Sequence, residues 1–530
     1  MNRITIFDST LRDGAQAEGV SFSVEDKIKI VRTLDELGVG MIEAGNPGSN
    51  PKDMEFFERI KSVQLKNSIL TAFGSTRRRN ISPKDDSNIA ALLSAGTKSV
   101  AIFGKSWDFH VTDIIGATLT ENLEMIYDTV AYLKEEGKHV TFDAEHFFDG
   151  YKNNREYAFK TVDAAVRAGA DCVCLCDTNG GTFPDEIYKI TKDVCDSFQV
   201  QVGIHAHNDC GMATANTLMA VKAGATQVQG TFTGFGERCG NASLATVIPN
   251  LQVKRDYKCI PDENVSSLTH TARKVSEIAN LQLSIRDPFV GQCAFAHKGG
   301  MHVDGVMKNS KSFEHIDPSV VGNERKFLTS EVAGRNTILS AIQKIAPDVA
   351  KNSQETTDVI EKLKALEYEG YQFEGAEGGF ELLIRKTLGK YKPFFELETF
   401  KIIGEHPPLT AEGQTASAVI KVKVDDKYEI TAAEGDGPVN ALDKALRKAL
   451  EVFYPSLSDV HLTDYKVRVL NSASATASKV RVLIESSDGN DSWTTVGVSK
   501  DIIEASWIAL VDSIEYKLIK DIEKKFKTYI

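Results

Sequence analysis

The segment FQVQVGIHAHNDCG at residues 198–211 alternates apolar and polar residues and then carries two histidines, His205 and His207. Residues at positions i and i+2 point about 200° apart on a helix but leave a strand on the same face. Because β-branched and alternating residues favour a strand, we expect both imidazoles to share one face. Such a pair can bind one metal ion or can be two separate structural histidines, and the segment alone leaves both interpretations open.

Short β-rich runs of this kind occur eight times between residues 1 and 255, and helical segments separate them. Two of these segments, at residues 23–38 and 155–170, carry glycine at or next to their end, the usual helix stop. Eight βα units in this length fit a TIM barrel better than an open doubly wound sheet. We therefore expect an α/β fold in which residues 1–255 form a TIM (β/α)8 barrel that carries the catalytic site. The eight runs are RITIFD, GMIEAG, ILTAFG, SVAIFG, HVTFDAEH, CVCLCDT, VQVGIHAH and TQVQGTF.

Two further regions follow the predicted barrel. Residues 256–390 are predicted to form a helical linker or cap with many loops, including a polar insert at 294–305 and a helix within 358–370. From residue 391 to residue 530, a pattern of strand, strand and helix occurs twice. These repeats predict a C-terminal α+β domain with an internal duplication.

The duplication aligns YEITAAEGDGPVNALDKAL (428–446) with SWTTVGVSKDIIEASWIAL (492–510) at an offset of 64 residues. In each copy, small-residue turns precede a helix with one apolar face, which is the pattern of a βαβ-like unit. A duplicated unit after a catalytic barrel predicts a regulatory domain that binds a small ligand. A plain dimerisation domain is the alternative interpretation.

Composition narrows the class of protein. The chain has 530 residues, of which 42% are hydrophobic and 26% charged, as expected for a soluble globular protein of two or three domains. Its formal net charge of -12 argues against nucleic acid or an anionic membrane as a partner. The cysteines lack the spacing of a disulfide framework, and Cys172, Cys174 and Cys176 alternate along one strand, as reduced packing residues do. The start of the chain has no apolar signal core, so we expect a cytoplasmic protein.

Polar residues stand at or just after the predicted strand ends. In a TIM barrel the carboxyl ends of all eight strands converge on one mouth, which is where catalytic residues lie. We therefore expect these side chains to approach one another. They are Asp8, Arg12, Asp13, Glu43, Asp143, Glu145, Asp177, Thr178, His205 and His207.

A metal site is predicted at this mouth. Asp13 follows the first strand, the two histidines end the seventh, and Asn241 follows the eighth. Strands one, seven and eight are neighbours in a closed barrel, so one divalent ion can contact Asp13, His205, His207 and Asn241. Arg12 would face an oxygen that gains negative charge, and Glu43 on the adjacent second strand would orient Arg12.

Three other motifs are rejected or weak. GKS at 104–106 lacks the glycine that a phosphate-binding loop requires, because that position is Ser99. GFGERCG at 234–240 has the wrong spacing for a dinucleotide site and closes a βα unit instead of opening one. The arginine run at 77–79 is either a solvated surface or a site for the phosphates of a large anionic cofactor.

The sequence resembles a known family at several motifs. FDSTLRDGAQ, IEAGNPGSNPKD, GIHAHNDCG and GFGERCGN are similar to the aspartate-arginine-glutamate TIM-barrel metallolyases, which include the isopropylmalate, homocitrate and citramalate synthases. Within that superfamily, AFGSTRR, IFGKSWDFHVT, DAEHFFDGY, CDTNGGTFP, AFAHKGG and HIDPSVVGNER resemble the long-form (R)-citramalate synthases. The resemblance extends over essentially the whole chain.

This resemblance implies an acyltransferase that condenses acetyl-CoA with pyruvate and then hydrolyses the thioester to citramalate and CoA, in isoleucine synthesis. Asp13, His205, His207 and Asn241 match the family's metal-binding positions. The metal would be Mn, Mg, Zn or Co, and would chelate the keto oxygen and the carboxylate of pyruvate. Arg12 would then stabilise the developing alkoxide.

Three more roles follow from the resemblance alone. Thr178 would hydrogen-bond the carboxylate of the keto acid, and Arg12 and Glu43 are expected to complete the substrate-binding group. Glu145 matches a catalytic carboxylate, and His302 matches a histidine involved in deprotonating the acetyl methyl group. The chain departs from the family pattern at Phe313, where related synthases carry a tyrosine. The role of the tyrosine hydroxyl must therefore be absent here, be taken by a residue elsewhere, or be filled by water or by His315.

Regulation and assembly are also predicted. The turn EGDGP at 434–438 precedes a helix N-terminus, so the backbone amides of Gly435, Asp436 and Gly437 would bind a zwitterionic ligand. The resemblance makes isoleucine the expected feedback inhibitor and a homodimer the expected assembly. Three alternatives remain: a sister synthase with a larger 2-oxo acid, an acyl-CoA lyase on the same barrel, and a non-catalytic amino-acid sensor.

Overall fold

The computed structural model divides the chain into two compact units. One unit comprises Met1–Phe295 and Ile316–Arg325, and the other comprises Ala296–His315 and Lys326–Ile530. None of the helices among the described residues combines the length and the apolar composition that a membrane span requires. The structure describes residues 3–327, 335–373, 375–404, 415–470, 478–489 and 491–528.

Eight parallel strands of the first unit close into a barrel in sequential order, and the last strand pairs with the first. The predicted TIM barrel is therefore confirmed, and each of the eight β-rich runs forms one strand. The strands are β1 (Thr5–Asp8), β2 (Met41–Glu43), β3 (Ile69–Ser75), β4 (Ser99–Lys105), β5 (His139–Glu145), β6 (Cys172–Asp177), β7 (Gln201–Ala206) and β8 (Gln227–Gly230).

Helices surround the barrel, and a ninth helix follows the eighth βα unit in the sequence. The helices are α1 (Val24–Leu37), α2 (Pro51–Ile60), α3 (Ser87–Ser94), α4 (Leu119–Glu135), α5 (Phe147–Arg167), α6 (Pro184–Ser197), α7 (Ala213–Ala223), α8 (Leu244–Arg255) and α9 (Leu268–Ile278).

Helix α1 illustrates how local sequence sets these elements. The Ser23 side chain accepts a hydrogen bond from the backbone N–H of Asp26, and the Asp26 carboxylate accepts one from Ser23 in return. This capping box satisfies two N–H groups that the first helical turn leaves free. The helix ends at Gly38, whose φ of 95° is favourable only without a Cβ atom. Both ends agree with the helix predicted for residues 23–38.

Strand β6 shows why the barrel strands are recognisable. All six of its residues are buried, because a parallel barrel strand faces helices on one side and the barrel interior on the other. Cys172, Cys174 and Cys176 lie there as free, buried thiols. Burial raises the pKa of the Cys172 and Cys174 thiols well above its usual range, so both stay protonated. Their burial as free thiols agrees with the prediction that they are reduced packing residues.

The second unit contains a small parallel ribbon, a helical segment and two antiparallel sheets. The helix predicted within residues 358–370 is confirmed as part of α12. The elements are β9 (Ala296–His297), α10 (Gly300–Lys308), β10 (Lys326–Phe327), α11 (Arg335–Ile345), α12 (Gln354–Glu369), α13 (Glu377–Thr387), β11 (Glu396–Gly404), β12 (Ala416–Val424), β13 (Lys427–Gly435), α14 (Pro438–Glu451), β14 (His461–Val469), β15 (Val480–Ser487), β16 (Ser492–Ser499) and α15 (Ile502–Thr528).

The internal duplication of the second unit is confirmed, but its topology differs from the prediction. Each copy has three antiparallel strands followed by a helix, in the orders β11-β12-β13-α14 and β14-β15-β16-α15. The prediction of two strands and a helix, with a βαβ-like connection, was wrong. The offset of 64 residues does hold, since it maps the start of α14 at Pro438 onto the start of α15 at Ile502.

The turn predicted at 434–438 is also shorter than expected. Gly435 lies in β13, and only Asp436 and Gly437 lie between that strand and α14. A Cβ atom on Gly435 would lie 2.5 Å from the backbone nitrogen of Ala441, whereas one on Gly437 would meet nothing within 4 Å. Gly435 therefore permits close packing of β13 on the first turn of α14, which a larger residue would disrupt.

Candidate active site

The loop after β1 brings two predicted site residues to the barrel mouth. The Asp8 carboxylate accepts hydrogen bonds from the backbone N–H and the hydroxyl of Thr10, at 2.9 and 3.0 Å. The Ser9 carbonyl then accepts from the backbone N–H of Arg12 at 3.1 Å and of Asp13 at 2.9 Å. This tight turn directs the Arg12 and Asp13 side chains toward the other strand ends.

Arg12 is held on three sides. Its Nε donates to Glu43 Oε2 at 2.6 Å, its terminal nitrogen donates to Asp13 Oδ2 at 2.7 Å, and its guanidinium lies 4.0 Å from the centre of the Phe73 ring. Burial lowers the pKa of Arg12, but Glu43 and Asp13 outweigh that effect, so the pKa is raised and the charge is permanent. Burial also raises the pKa of Glu43, whereas the Arg12 charge and the hydrogen bond from the Ser9 hydroxyl lower it. The effect of burial is the larger one.

The four predicted metal ligands lie together. His205 Nε2 is 3.6 Å from Asp13 Oδ2 and 3.3 Å from His207 Nε2, and His207 Nε2 is 4.0 Å from Asp13 Oδ2. The side-chain amide of Asn241 is 3.2 Å from His205 Nε2. Asn241 reaches this position because it forms a backbone bridge with His207. All four side chains are buried.

The chemistry of these donors fits a divalent cation. One ligand atom each from Asp13, His205 and His207 lies within 4.8 Å of the other two. Asp13 Oδ1 and Asn241 Oδ1 are buried oxygens without a hydrogen-bond partner among the described residues. Burial lowers the pKa of His205 and of His207, which keeps both imidazoles neutral and able to donate a lone pair. Oxygen and imidazole donors of this kind suit a divalent ion such as Mn²⁺ or Zn²⁺.

Asp13 supplies the negative charge of this group. Burial would raise the pKa of Asp13, but the neighbouring Arg12 guanidinium and the two histidines lower it to about 2. Asp13 is therefore ionised at neutral pH, as a metal ligand must be.

Glu145 and Thr178 lie at the adjacent strand ends of the same mouth. The Lys105 ammonium, at the end of β4, pairs with the Glu145 carboxylate at the end of β5. Thr178 follows β6, and its hydroxyl oxygen accepts a hydrogen bond from the backbone N–H of His146 at 2.9 Å. Among the described residues the Thr178 hydroxyl donates no hydrogen bond, so its hydrogen can be donated to an anion.

Sequence reasoning missed Lys105 and Ser9. Lys105 belongs to the rejected GKS motif, and its strand-end position next to Glu145 was the available signal. Ser9 lies in the loop after β1, and no sequence pattern marked it as a site residue. Its hydroxyl hydrogen-bonds Glu43 Oε2, the same oxygen that accepts from Arg12.

The arginine run at 77–79 is paired with acidic or polar groups of the protein itself. Arg77 contacts Asp128 at 2.8 Å, Arg78 contacts Asp86 at 3.4 Å, and Arg79 lies 3.6 Å from Glu121. These pairs favour the interpretation of a structural and solvated charge run.

A cavity of about 260 Å³ adjoins the Arg12 side of the site. Arg12 and Phe73 form one wall, and Lys27, Asn46 and Asp53 contribute polar groups to the other walls. A cavity that combines apolar rings with a few fixed polar groups is typical of a small-molecule site. It offers space beside the Arg12 guanidinium.

The remaining predicted residues belong to the second unit. His302 lies on α10, is exposed, and stacks on Phe313 with the ring centres 4.1 Å apart. Phe313 therefore packs on the histidine face where related synthases are expected to carry a tyrosine. Gly435, Asp436 and Gly437 lie at the junction of β13 and α14.

Three family models match the chain in succession. Residues 3–282 match the HMGL-like family, which is more than half of the chain. Residues 289–370 match the homocitrate synthase post-HMGL domain-like model. Residues 374–518 match the LeuA allosteric (dimerisation) domain, which corresponds to the duplicated sheets.

Whole-chain relatives agree with these models. The chain is 52% identical to the (R)-citramalate synthase of Aquifex aeolicus, over 98% of this chain and 99% of the relative. It is 50% identical to that of Synechocystis, over 97% and 96% of the two chains. Identity to a probable 2-isopropylmalate synthase of Methanopyrus kandleri is 33%, over 97% and 98%. The chain therefore belongs to the HMGL-like family and, within it, to the (R)-citramalate synthases.

Proposed function

We propose that this chain condenses acetyl-CoA with pyruvate and hydrolyses the resulting thioester, which releases (R)-citramalate and CoA. The observation that carries the proposal is the buried group of Asp13, His205, His207 and Asn241 beside the fixed Arg12 guanidinium. The names of the most similar relatives support the same reaction. The lower identity to 2-isopropylmalate synthases argues against a larger keto acid.

The residues of the metal group would bind and orient the keto acid. A divalent ion held by Asp13, His205, His207 and Asn241 would supply a Lewis acid for the keto oxygen. Arg12 supplies a permanent positive charge beside that position, where negative charge develops as the new carbon–carbon bond forms. Glu43 and Phe73 keep the guanidinium in place, so it needs no reorganisation during the reaction.

Glu145 is proposed as a catalytic carboxylate that acts in the proton transfer from the acetyl methyl group. The neighbouring Lys105 ammonium fixes the carboxylate at the barrel mouth. The free hydroxyl hydrogen of Thr178 would donate to the carboxylate of pyruvate. His302 is proposed to assist the proton transfer, as the family resemblance implies. A proton acceptor is required because the methyl group of a thioester is a very weak acid.

A panel of 2-oxo acids tests the proposal. Release of CoA from acetyl-CoA should be fastest with pyruvate, and 2-oxobutyrate should be the best competitor, because one methylene in an apolar pocket changes discrimination by roughly 1–3 kcal/mol. The other acids are 2-oxoisovalerate, 2-oxoglutarate and glyoxylate. Faster release with 2-oxoisovalerate would assign the chain to the sister synthases, and cleavage of citramalyl-CoA without condensation would make it a lyase.

The duplicated domain is proposed to bind isoleucine at the β13–α14 junction and to inhibit the barrel. The backbone N–H groups at the start of α14 suit a carboxylate, and Gly437 leaves space beside them. Gly437→Val should weaken inhibition by isoleucine and leave uninhibited turnover unchanged, since an inhibitor must favour the less active state. A wild-type enzyme that responds to neither isoleucine, leucine nor valine would contradict this role. The homodimer and the cytoplasmic location stay predictions.

A further inference from the structure

Gln229 links the candidate metal site to the interior of the barrel. It lies on β8, is fully buried, and is the register partner of His205 on β7. Its side-chain oxygen is 3.1 Å from His205 Nδ1, and its side-chain nitrogen is 2.9 Å from Asp143 Oδ1 on β5. The three side chains therefore form one hydrogen-bonded row inside the barrel.

The neighbours of the Gln229 amide determine its orientation. The nitrogen lies 2.9 Å from Asp143 Oδ1 and 3.3 Å from Gln227 Oε1, and two neighbouring acceptor oxygens favour the donor end of the amide at this position. The Gln229 oxygen consequently faces His205. Because an amide oxygen can only accept, His205 Nδ1 must carry a hydrogen and donate it to Gln229.

This tautomer has a consequence for the other ring nitrogen of His205. A neutral imidazole with its hydrogen on Nδ1 has a free lone pair on Nε2. His205 Nε2 is the atom that lies 3.6 Å from Asp13 Oδ2 and 3.3 Å from His207 Nε2. The hydrogen bond to Gln229 thus presents the lone pair to the place where a cation would bind.

We propose that Gln229, held by Asp143, is a positioning residue that fixes the tautomer and ring orientation of His205 for binding a divalent cation. The proposal rests on the metal site of the proposed function. Partners of this kind behind a histidine ligand typically contribute 10–100-fold to metal affinity. Neither Gln229 nor Asp143 needs to contact the substrate.

Isothermal titration calorimetry of metal-free protein with Mn²⁺ tests the proposal without measuring turnover. Gln229→Met keeps the volume and removes the acceptor, so Mn²⁺ affinity should fall about 10–100-fold. Gln229→Glu keeps an acceptor for the Nδ1 hydrogen of His205, so the affinity should stay within about threefold of wild type.

A packing role for Gln229 predicts the opposite order, because methionine fills the space well while a second buried carboxylate beside Asp143 is unfavourable. Equal Mn²⁺ affinity of Gln229→Met and wild type would overturn the inference. An affinity loss of more than tenfold in Gln229→Glu would also overturn it, even if Gln229→Met does not fold.

Thr141→Val is the matched control. Thr141 lies on β5, two residues before Asp143, is fully buried, and its hydroxyl has no partner among the described residues. This nearly isosteric change should leave Mn²⁺ affinity within about twofold of wild type. If wild type binds no Mn²⁺, or if His207→Ala binds it equally well, the metal site itself is wrong and the role of Gln229 fails with it. If only the Gln229 variants behave unexpectedly, the metal site stands and the positioning role alone is rejected.

Discussion

Replacing Arg12 by methionine tests the electrostatic basis of the site through stability alone. Glu43 is fully buried, and its Oε1 has no partner among the described residues, so Arg12 and the Ser9 hydroxyl are the groups that compensate its charge. Breaking a buried ion pair by removing one partner costs about 3–5 kcal/mol. For a domain of this size, we expect the Tm to fall by roughly 6 °C or more. The loss of the Arg12 contact with Asp13 acts in the same direction.

The double variant Arg12→Met/Glu43→Gln separates charge from packing. It removes the uncompensated carboxylate, so it should recover at least half of the lost stability. The measurement is thermal unfolding of chelator-treated protein by circular dichroism. Arg59→Met is the control, because Arg59 pairs with Glu25 on the surface, with exposures of 47% and 55%, and should change the Tm by only about 1 °C.

The pH dependence gives a further check. Burial raises the pKa of Glu43 above its unfolded value, so the folded state binds its proton more tightly and loses stability as the pH rises through the folded pKa. Without Arg12 that pKa rises further, and the Tm deficit of Arg12→Met should be smaller at pH 5 than at pH 8. A deficit that is equal at both pH values, or a double variant as unstable as Arg12→Met, would show that the uncompensated Glu43 charge is not what destabilises the protein.

Three further predictions concern other parts of the chain. Glu145→Gln should lower kcat by about two to four orders of magnitude with little change in the KM for pyruvate, and steady-state kinetics with an unaltered kcat would remove it from the mechanism. Burial raises the pKa of Glu515 to about 7, so the wild type loses stability between the unfolded value of 4.5 and pH 7. Glu515→Gln should therefore raise the Tm relative to wild type at pH 8 but not at pH 4, and calorimetry that finds equal effects would contradict this. Gly435→Ala should lower the free energy of unfolding of the second unit by about 1–3 kcal/mol, because its Cβ would overlap the backbone of Ala441. Gly437→Ala should leave that free energy nearly unchanged, and denaturant titration of both variants measures the difference.

The barrel could be predicted from sequence because its signals are local. Each strand is a short run of β-branched or alternating residues, and several helices carry a stop signal of their own, as Gly38 does for α1. Once eight βα units are counted, closure makes strands one, seven and eight neighbours. The grouping of Asp13, His205 and Asn241 then follows from topology without any knowledge of distances.

The C-terminal topology could not be predicted because the missing strands lack a clear pattern. The outer strands β11 and β14 are largely exposed, so their sequences ELETFKIIG and HLTDYKVRV do not need an apolar face at every second position. The middle strand β12, by contrast, is buried at alternate positions, which is a pattern that a sequence can show. The sequence prediction therefore has one strand too few in each sheet.

Contacts that depend on the register between strands could also not be predicted from the sequence. Lys105 pairs with Glu145 because β4 and β5 align at these two positions. Gln229 reaches His205 for the same reason on β8 and β7. Gly435 suggested a turn because proline and glycine follow it, yet the approach of α14 is what requires glycine there. A single sequence contains no direct record of such alignments.

The metal dependence of pyruvate-driven CoA release tests directly whether the four grouped ligands bind a catalytic metal ion. Protein treated with a chelator and dialysed should release no CoA from acetyl-CoA and pyruvate, and added Mn²⁺ should restore the activity. His207→Ala should keep the fold by circular dichroism but should not be restored at the Mn²⁺ concentration that saturates wild type, because one of the grouped ligand atoms is gone. Full pyruvate-dependent CoA release by the chelator-treated wild type, or by His207→Ala, would contradict the assignment of Asp13, His205, His207 and Asn241 as the centre of the reaction.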